Sequence, residues 1–258
     1  MAGPRVDDIY DQVKAMAVSG PYMDFFLHAF KYRELVLGKE VDIDAVNEVE
    51  GEIISAFLSL TLKLALDDFK PLFYRVFNLT FDLGGQDVCA LITVFHVTLE
   101  VAKKLKSLFE FICETLFAKA TTVLNNFAED DFAKVRSIDD EAMALQLLVY
   151  VFKALTTVTE YNKMENLLTK NYEDHVNALL AFFELRFEDE DDLDTMLGGL
   201  TETLGQLALS TEDDNHWKYL NYQVLLNLRS TSPKVRESER KQVNNRIYFF
   251  FSRSVRQS

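Results

Sequence analysis

The stretch VCALITVFHVTLEVAKKLKSLFEFICETLFAKATTVLNNF, residues 88–127, contains neither glycine nor proline. Apolar side chains recur along it at helical spacing, at Leu91, Phe95, Ala102, Phe109, Ile112 and Leu116. A spacing of three or four residues places these side chains on one face of a helix. An apolar face without a helix breaker predicts that the whole stretch is helical, as one long helix or as two.

The segment FHVTLEV, residues 95–101, is the ambiguous part of this stretch. Its apolar and polar residues alternate, which is also the pattern of a half-buried β-strand. No turn signal separates it from AKKLKSLFEFICETLFAKA, residues 102–120, which follows directly and has a helical pattern. Helix is therefore the better prediction, because a strand would need a break that the sequence does not offer.

The composition of the whole chain favours the same fold class. Its 258 residues are enough for one or two domains, and the 48% that are hydrophobic can bury a sizeable core. Only 9 glycines and 4 prolines occur, so residues that end helices are scarce. These observations predict an all-α globular protein.

Helical patterns with recognisable ends precede the central stretch. They cover residues 6–18, 22–37 and 44–66. A further helix would be capped by Asp68 and would carry Pro71 near its first turn, where a missing N–H is tolerated.

Helical patterns also follow the central stretch. EAMALQLLVYVFKALTTVTEY (141–161) and DHVNALLAFFELRF (174–187) predict an antiparallel helix pair. In the next helix, Gly198 and Gly199 would allow close packing. The last clear helix carries an apolar face that we expect to be buried, at Trp217, Leu220, Val224, Leu225 and Leu228. The turn STSP (230–233) would then start a partner helix, as in stacked helical repeats.

Cysteine usage and the length of the apolar segments favour a soluble protein of a reducing compartment. Cys89 and Cys113 lie in apolar surroundings and are expected to be buried thiols rather than a disulfide. The N-terminal MAGPRVDDIYDQVKAM has acidic residues where a secretory signal needs an apolar run. Apolar stretches such as VCALITVF are shorter than the ~20 residues of a membrane span. We therefore expect an intracellular protein with no membrane partner.

The charge of the chain is strongly negative but uneven. A formal net charge of -14 argues against a broad basic face that grips nucleic-acid phosphates. Acidic residues are concentrated in AEDDFAKVRSIDDE (128–141) and FEDEDDLD (187–194). We interpret these runs as solvated loops, with a docking surface for a basic partner as the alternative.

No catalytic, metal-binding or cofactor-binding motif is recognisable in the sequence. The 4 histidines, at positions 28, 96, 175 and 216, fall on different predicted elements without the spacing of metal ligands. The segment LGGQD (83–87) lacks the lysine and the hydroxyl residue of a phosphate-binding loop and is interpreted as a turn. We therefore expect a protein that is not an enzyme, with no catalytic residue, cofactor, metal or small-molecule substrate.

Basic residues are the candidate binding residues for RNA or a protein partner. They form two groups, Lys103, Lys104 and Lys106 in the first, and Lys218, Arg229, Lys234 and Arg236 in the second. Either group could contact RNA phosphates or an acidic helix of a partner. The alternatives are a solvated helix face for the first group and, for Arg236 of the second, a ladder of ion pairs between repeats.

Segments of the chain resemble, in order, pieces of the C-terminal region of one protein family. They are DFKPLFYRVFNLT (68–80), TVFHVTLEVAKKLKSLFEFICETLF (93–117) and WKYLNYQVLLNLRSTSPKVR (217–236). The family is that of the large nucleolar HEAT-repeat proteins of the small-subunit processome, and the similarity covers roughly residues 56–236. Tyr219 departs from the family's usual proline, which changes the start of the helix but not its apolar register.

The resemblance implies a fold and a function that composition and spacing do not. The implied fold is an all-α, armadillo-like or HEAT-type superhelix of antiparallel helix pairs. The implied function is that of a non-enzymatic scaffold in the nucleus and nucleolus, in small-subunit (18S) pre-rRNA processing within the snoRNP-containing processome. The implied partners are processome protein subunits, pre-rRNA and snoRNA, and family members are also implicated in promoting transcription by RNA polymerase I.

The resemblance also implies a division of the chain. Residues 1–55 would be N-terminal helices of the stack, 56–210 the family's C-terminal-type helical domain, and 211–236 the start of a HEAT-like repeat. Residues 237–258 have no helical stripe, and we expect a disordered basic tail outside the family sequence. Because family members are very long, the chain is expected to be a fragment or a short form.

Two other classes of function stay open at this point. A HEAT-type adaptor outside the ribosome, in transport or in a phosphatase complex, would bind proteins without depending on RNA. A small helical enzyme would need polar residues that converge in a pocket.

Overall fold

The computed structural model describes residues 11–12, 14–15, 20–36, 42–82, 87–129, 141–162, 171–184 and 190–227. The α-helices are α1 (Gly20–Ala29), α2 (Tyr32–Val36), α3 (Ile43–Thr61), α4 (Leu66–Asp82), α5 (Val88–Leu105), α6 (Cys113–Glu129), α7 (Glu141–Tyr161), α8 (Tyr172–Leu180), α9 (Glu190–Ser210) and α10 (Asp214–Asn227). Short 3-10 helices at Lys106–Ile112 and Ala181–Glu184 follow α5 and α8. No strand occurs in these ranges, and the predicted all-α fold class is confirmed.

The chain divides into two compact units, of which the first ends at Val101 and the second begins at Ala102. The boundaries implied by the resemblance, after residues 55, 210 and 236, stay predictions. Residues 83–86 of the predicted turn LGGQD (83–87), the predicted turn at 230–233 and the predicted tail at 237–258 lie outside the described residues.

In the first unit, α1 and α2 both contact α3. Asp42 starts α3, because its carboxylate accepts a hydrogen bond from the backbone N–H of Asp44 at 3.3 Å. The Phe26 and Phe30 rings lie edge-on against Phe57 of α3, with ring centroids 5.3 and 5.5 Å apart. All three rings are buried, so aromatic packing joins these helices.

Two predicted helices of this unit are interrupted. The predicted helix over residues 22–37 is divided into α1 and α2 by a turn at 30–31. The predicted helix over residues 44–66 ends with α3. The backbone N–H groups of Lys63 and Leu64 bond to carbonyls three residues back, at 3.2 and 3.1 Å, and this tighter winding ends the α-helix.

Helix α4 begins earlier than predicted. The backbone N–H groups of Asp68 and Phe69 both bond to the carbonyl of Ala65, at 3.0 and 2.9 Å, which adds residues to the helix ahead of Asp68. The prediction that Asp68 caps this helix is therefore wrong, and Pro71 lies inside the helix.

Helix α5 resolves the ambiguity of residues 95–101, which are helical throughout. The polar members of the alternating pattern are buried together with the apolar ones, His96 and Thr98 included. The Thr98 hydroxyl is satisfied because it donates to the carbonyl of Val94, one turn back, at 2.7 Å. The alternation thus belongs to a helix buried on nearly all sides and not to a half-exposed strand.

In the second unit, the helices lie in two layers. One layer contains α6, α8 and α10, in which each helix contacts the next, and the other contains the 3-10 helix Lys106–Ile112, α7 and α9. Helices α7 and α9 run parallel, because Phe152 lies beside Gly199 and Thr156 beside Thr203 in the same order along both helices. Consecutive helices of the chain therefore fall in opposite layers, as in a HEAT-type array.

The layer that contains α6, α8 and α10 repeats this arrangement. The Tyr172 ring of α8 stacks on His216, with centroids 4.2 Å apart, and the Tyr219 hydroxyl donates to Asn177 at 2.8 Å, so α8 and α10 are also parallel. The two hydrogen-bonded pairs, one in each layer, join residues 47 and 42 positions apart. HEAT and armadillo repeats have a period of about 40–47 residues. The predicted HEAT-type helical fold is confirmed by this periodic stacking.

Helix α7 is more apolar than the sequence analysis expected. Its segment Ala142–Tyr161 is the one described helix long and apolar enough to cross a membrane by length and composition, with a mean hydropathy of 1.5. More than half of that window, 56%, is buried within the protein. A Cβ atom at Gly199 of α9 would lie 3.4 Å from the Phe152 ring of α7, whereas Gly198 faces open space. Close packing is thus confirmed for Gly199 alone, and α7 is a core helix of this unit.

The predicted apolar face of α10 is buried only in part. Leu220 and Val224 are buried and Trp217 is half-buried, but Leu225 is 45% exposed. Leu220 and Val224 are one turn apart on the contact stripe, whereas Leu225 lies about 100° further round the helix. The prediction that Leu225 is buried is wrong, and Leu228 lies outside the described residues.

Candidate interaction surface

Three of the four histidines take part in side-chain contacts between helices. His96 bonds to a buried carboxylate, His175 hydrogen-bonds to Thr121, and His216 stacks on Tyr172. In the part of the chain that the structure describes, no group of three or more His, Cys, Asp or Glu side chains is arranged to hold a metal ion. These three histidines therefore join helices.

A buried ionic cluster joins α2, α3 and α5 in the first unit, and the sequence analysis missed it. Arg33 donates to both carboxylate oxygens of Glu50, from Nε at 3.2 Å and from Nη2 at 2.9 Å. The Thr93 hydroxyl donates to the same carboxylate, and His96 Nδ1 bonds to it at 2.7 Å. Arg33 also donates to Asn47 at 2.7 Å. Both ions are enclosed, because Arg33 is 2% exposed and Glu50 is 1% exposed.

The sequence did contain a signal for this cluster. Glu50 recurs at helical spacing with Val46, Ile54 and Phe57, all of which are buried on the same helix. A carboxylate at such a position needs a buried partner, because burying an unpaired charge is very costly. This pattern predicts an ionic contact but does not say which residue supplies it.

The ionisation of Glu50 is controlled by its partners. Burial acts to raise its pKa, but hydrogen bonds from His96, Arg33 and Thr93, together with the charge of Arg33, lower the pKa to about 2. The carboxylate is thus ionised near neutral pH and already holds protein donors on both oxygens. The Glu50 carboxylate therefore has a structural role, because it connects the helices and is not accessible to a substrate.

The cysteines of the chain are free and buried, as predicted. Burial raises the pKa of Cys89 to about 11 and that of Cys113 to about 12. The thiolate is the nucleophilic form of cysteine, and thiols with such high pKa values carry almost none of it at neutral pH. Both thiols therefore fill core space.

The lysines of the first predicted binding group lie together at the start of the second unit. Lys103 and Lys104 occupy the last turn of α5, Lys106 begins the 3-10 helix Lys106–Ile112, and all three side chains are exposed. Positive charge in the last turn of a helix interacts favourably with its carbonyl end. Leu108, beside these lysines in the sequence, is 59% exposed.

Lys106 has an unusual backbone conformation. Among the described residues it is the one non-glycine residue with a positive φ, of 52°. This left-handed region costs a residue with a side chain roughly 1–2 kcal/mol. The lysine ammonium lies 5.4 Å from the centroid of the Tyr161 ring of α7, which is 36% exposed. We call the surface formed by Lys103, Lys104, Lys106, Leu108 and Tyr161 the basic strip.

Of the second predicted binding group, Lys218 is the one member that lies within the described residues. Lys218 on α10 pairs with Asp214, one turn earlier, at 3.7 Å, and both side chains are exposed. An exposed pair of this kind contributes less than about 1 kcal/mol. Arg229, Lys234 and Arg236 lie outside the described residues, so a binding role for this group stays a prediction.

Helices stacked in two layers at a period of 42–47 residues define a helical-repeat protein of HEAT type. Residues 14–167 match the BP28CT (NUC211) domain, more than half of the chain. The chain therefore belongs to the BP28CT domain family. The matched region begins nearer the N-terminus than the three segments that carry the resemblance, and it includes α1 to α3.

Relatives of the chain carry the name HEAT repeat-containing protein 1. The Danio rerio protein is 29% identical over 239 residues, which cover 83% of this chain and 10% of the relative. The Homo sapiens protein is 28% identical over 215 residues, covering 82% and 10%. The Drosophila melanogaster homolog is 28% identical over 227 residues, covering 85% and 10%. The predicted resemblance to HEAT-repeat proteins is thereby confirmed.

The chain spans about a tenth of the length of these relatives. No solved structure matches it.

Proposed function

We propose that this chain is a non-enzymatic scaffold element in ribosome biogenesis, acting in small-subunit (18S) pre-rRNA processing in the nucleolus. The observation that carries the proposal is the family assignment, together with similarity to HEAT repeat-containing protein 1 over 82–85% of the chain. Its partners would be processome protein subunits, with pre-rRNA and snoRNA bound directly or through them.

The geometry of the described residues supports a scaffold. Stacked helical repeats present long surfaces that bind partners without a pocket. Among the described residues, three groups of kinds that serve in catalysis elsewhere are enclosed: Glu50 accepts hydrogen bonds on both carboxylate oxygens, and Cys89 and Cys113 are buried with raised pKa values. The basic strip, by contrast, exposes three lysines and a leucine, groups that can contact a partner.

The net charge of the chain favours recruitment through protein subunits. A charge of -14 repels an RNA backbone at long range, so extended RNA contact would need a local basic surface. Promotion of RNA polymerase I transcription would follow from the same scaffold, if it holds the processome on the nascent transcript.

The test is purification of the tagged chain from its own cells at moderate salt, with and without ribonuclease, followed by identification of the recovered proteins and RNAs. We expect processome subunits together with pre-rRNA and snoRNA, and retention of the proteins after ribonuclease treatment. Recovery of unrelated proteins without RNA would overturn the proposal and identify an adaptor outside the ribosome.

A second experiment separates processing from transcription. The gene product is depleted, and newly made pre-rRNA, mature 18S rRNA and mature large-subunit rRNA are each measured by pulse labelling. A selective fall in 18S rRNA is expected for a processing scaffold. A parallel fall in all three would assign the effect to transcription instead.

A further inference from the structure

We propose that the basic strip is a docking surface for an acidic segment of a partner protein, and that this segment anchors an apolar side chain against Leu108. The proposal rests on the scaffold function proposed above and deepens it, because it states what kind of partner one surface holds. It is carried by charge, by exposed apolar surface and by backbone geometry.

The first argument is charge complementarity. The strip places Lys103, Lys104 and Lys106 on the surface of a chain whose net charge is -14, so it is a local exception to the overall field. Exposed acids limit the length of this positive surface. Glu110 lies two positions after Leu108 in the 3-10 helix, and Glu160 directly precedes Tyr161 in α7. A positive surface of such limited length suits a short acidic segment better than a long polyanion.

The second argument is apolar exposure. Leu108 is 59% exposed and Tyr161 is 36% exposed, so the lysines lie on a surface that also carries hydrophobic groups. Phosphates gain nothing from a leucine, whereas protein interfaces combine an apolar anchor with charged groups at the rim. The Lys106 ammonium lies over one face of the Tyr161 ring, 5.4 Å from its centroid, which leaves less of the ring for base stacking. A protein segment is therefore favoured over RNA.

The third argument is preorganisation. Lys106 has a positive φ of 52° at the point where α5 ends and the following 3-10 helix begins. The contact with Tyr161 then holds the lysine in one place before a partner arrives. A side chain already ordered loses less conformational entropy on binding. Backbone strain of this kind is often found at functional surfaces.

The test uses the full tagged chain in its own cells, with the photo-cross-linking residue p-benzoylphenylalanine in place of Leu108. The matched control carries the same residue in place of Leu209 on α9, which is 45% exposed. After irradiation, the cross-linked partner peptide is sequenced by mass spectrometry. We expect position 108, and not position 209, to yield a protein segment rich in Asp and Glu with at least one large apolar residue.

Charge reversal then tests the lysines. The double change Lys103→Glu and Lys104→Glu should lower the cross-link yield from position 108 about tenfold, as should raising the salt from about 0.15 M to about 0.5 M. The control Lys153→Glu, at an exposed lysine of α7, should leave the yield unchanged. Circular dichroism of each purified variant confirms that it is folded.

Several outcomes would overturn the proposal. They are a ribonuclease-sensitive adduct, a partner segment without acidic residues, a yield unaffected by charge reversal, or no adduct above that of position 209. Failure of the scaffold function is a different result. Recovery of processome subunits without an acidic cross-linked segment would contradict only the docking-surface proposal. An acidic cross-linked segment from a protein unrelated to ribosomes would contradict only the processome assignment.

Discussion

Two helix contacts, one in each compact unit, bury polar side chains in different ways. In the first unit, α2, α3 and α5 meet around the ion pair of Arg33 with Glu50, at 2.9 Å. In the second, α7 and α9 meet through Gly199 against the Phe152 ring and through a pair of threonine hydroxyls 2.9 Å apart. One contact is specified by charge and the other by shape.

The two contacts should therefore respond differently to substitution. A buried ion pair adds little net stability, but removing one partner leaves an uncompensated charge in the core. A close-packed contact tolerates small changes and is damaged when volume is added. The first contact should therefore be sensitive to loss of a group, and the second to gain of one.

Replacement of Glu50 by glutamine should have the largest effect, because it removes the carboxylate charge that the buried Arg33 guanidinium contacts at 2.9 Å. We expect the free energy of unfolding to fall by about 3–5 kcal/mol in urea titrations followed by circular dichroism. The matched control is Glu52→Gln, at an exposed position of the same helix, which should change it by less than about 0.5 kcal/mol. Equal effects would mean that the ion pair does not hold the contact.

Acid should weaken the same contact. The pKa of Glu50 is lowered from an ordinary value of 4.5 to about 2, so its stabilising effect is complete above about pH 4.5 and is lost as pH falls through about 2. The loss over this window should be on the order of 3 kcal/mol. Unfolding free energies measured across the window for the parent chain and for Glu50→Gln isolate this group. Parallel curves would assign the acid sensitivity to other carboxylates.

Added volume should separate the adjacent glycines of α9. Gly199→Leu should lower the free energy of unfolding by about 1–3 kcal/mol, because a Cβ atom added at this position would lie only 3.4 Å from the Phe152 ring. Gly198→Leu, which faces open space, should leave it unchanged or raise it through better helix propensity. Thermal unfolding of the two variants decides the matter, and a loss of the same size at both positions would contradict the close contact.

The smallest expected difference in the free energy of unfolding is between variants of two buried threonines. The Thr93 hydroxyl bonds to a carboxylate and to the carbonyl of Cys89, whereas the Thr203 hydroxyl bonds to another hydroxyl and to two backbone carbonyls. Thr93→Val should cost about 1.5–3 kcal/mol and Thr203→Val about 1 kcal/mol, because hydrogen bonds to charged groups are the stronger ones. Urea midpoints of the two variants test this order, and the reverse order would remove the distinction between the contacts.

The sequence predicts those features of the fold that depend on local spacing. The helices of residues 88–127 and 141–161 follow from apolar residues three and four apart without a breaker. The turn at 30–31 and the early end of α3 were not predictable. They arise from backbone N–H groups that bond to carbonyls three residues back, and no residue type in these segments indicates such bonds. Element types are local, whereas their ends depend on packing.

Contacts between distant residues explain the other misses. Glu50 stands out in its helix, but its partners lie 17, 43 and 46 positions away on other helices, so sequence spacing could not identify them. The lysines of the basic strip were found from sequence because they lie within four residues of one another. Leu108 and Tyr161 were not, because only the fold shows that they are exposed beside those lysines.

The alternation of layers in the second unit has a consequence for changes in chain length. Because consecutive helices fall in opposite layers, the side on which a helix lies depends on whether the number of helices before it is odd or even. Losing or gaining a single helix would exchange the two sides for everything that follows, and a contact face would be turned away from its partner. Losing or gaining a pair would only shorten or extend the array, so whole periods are the natural unit of insertion and deletion in this fold.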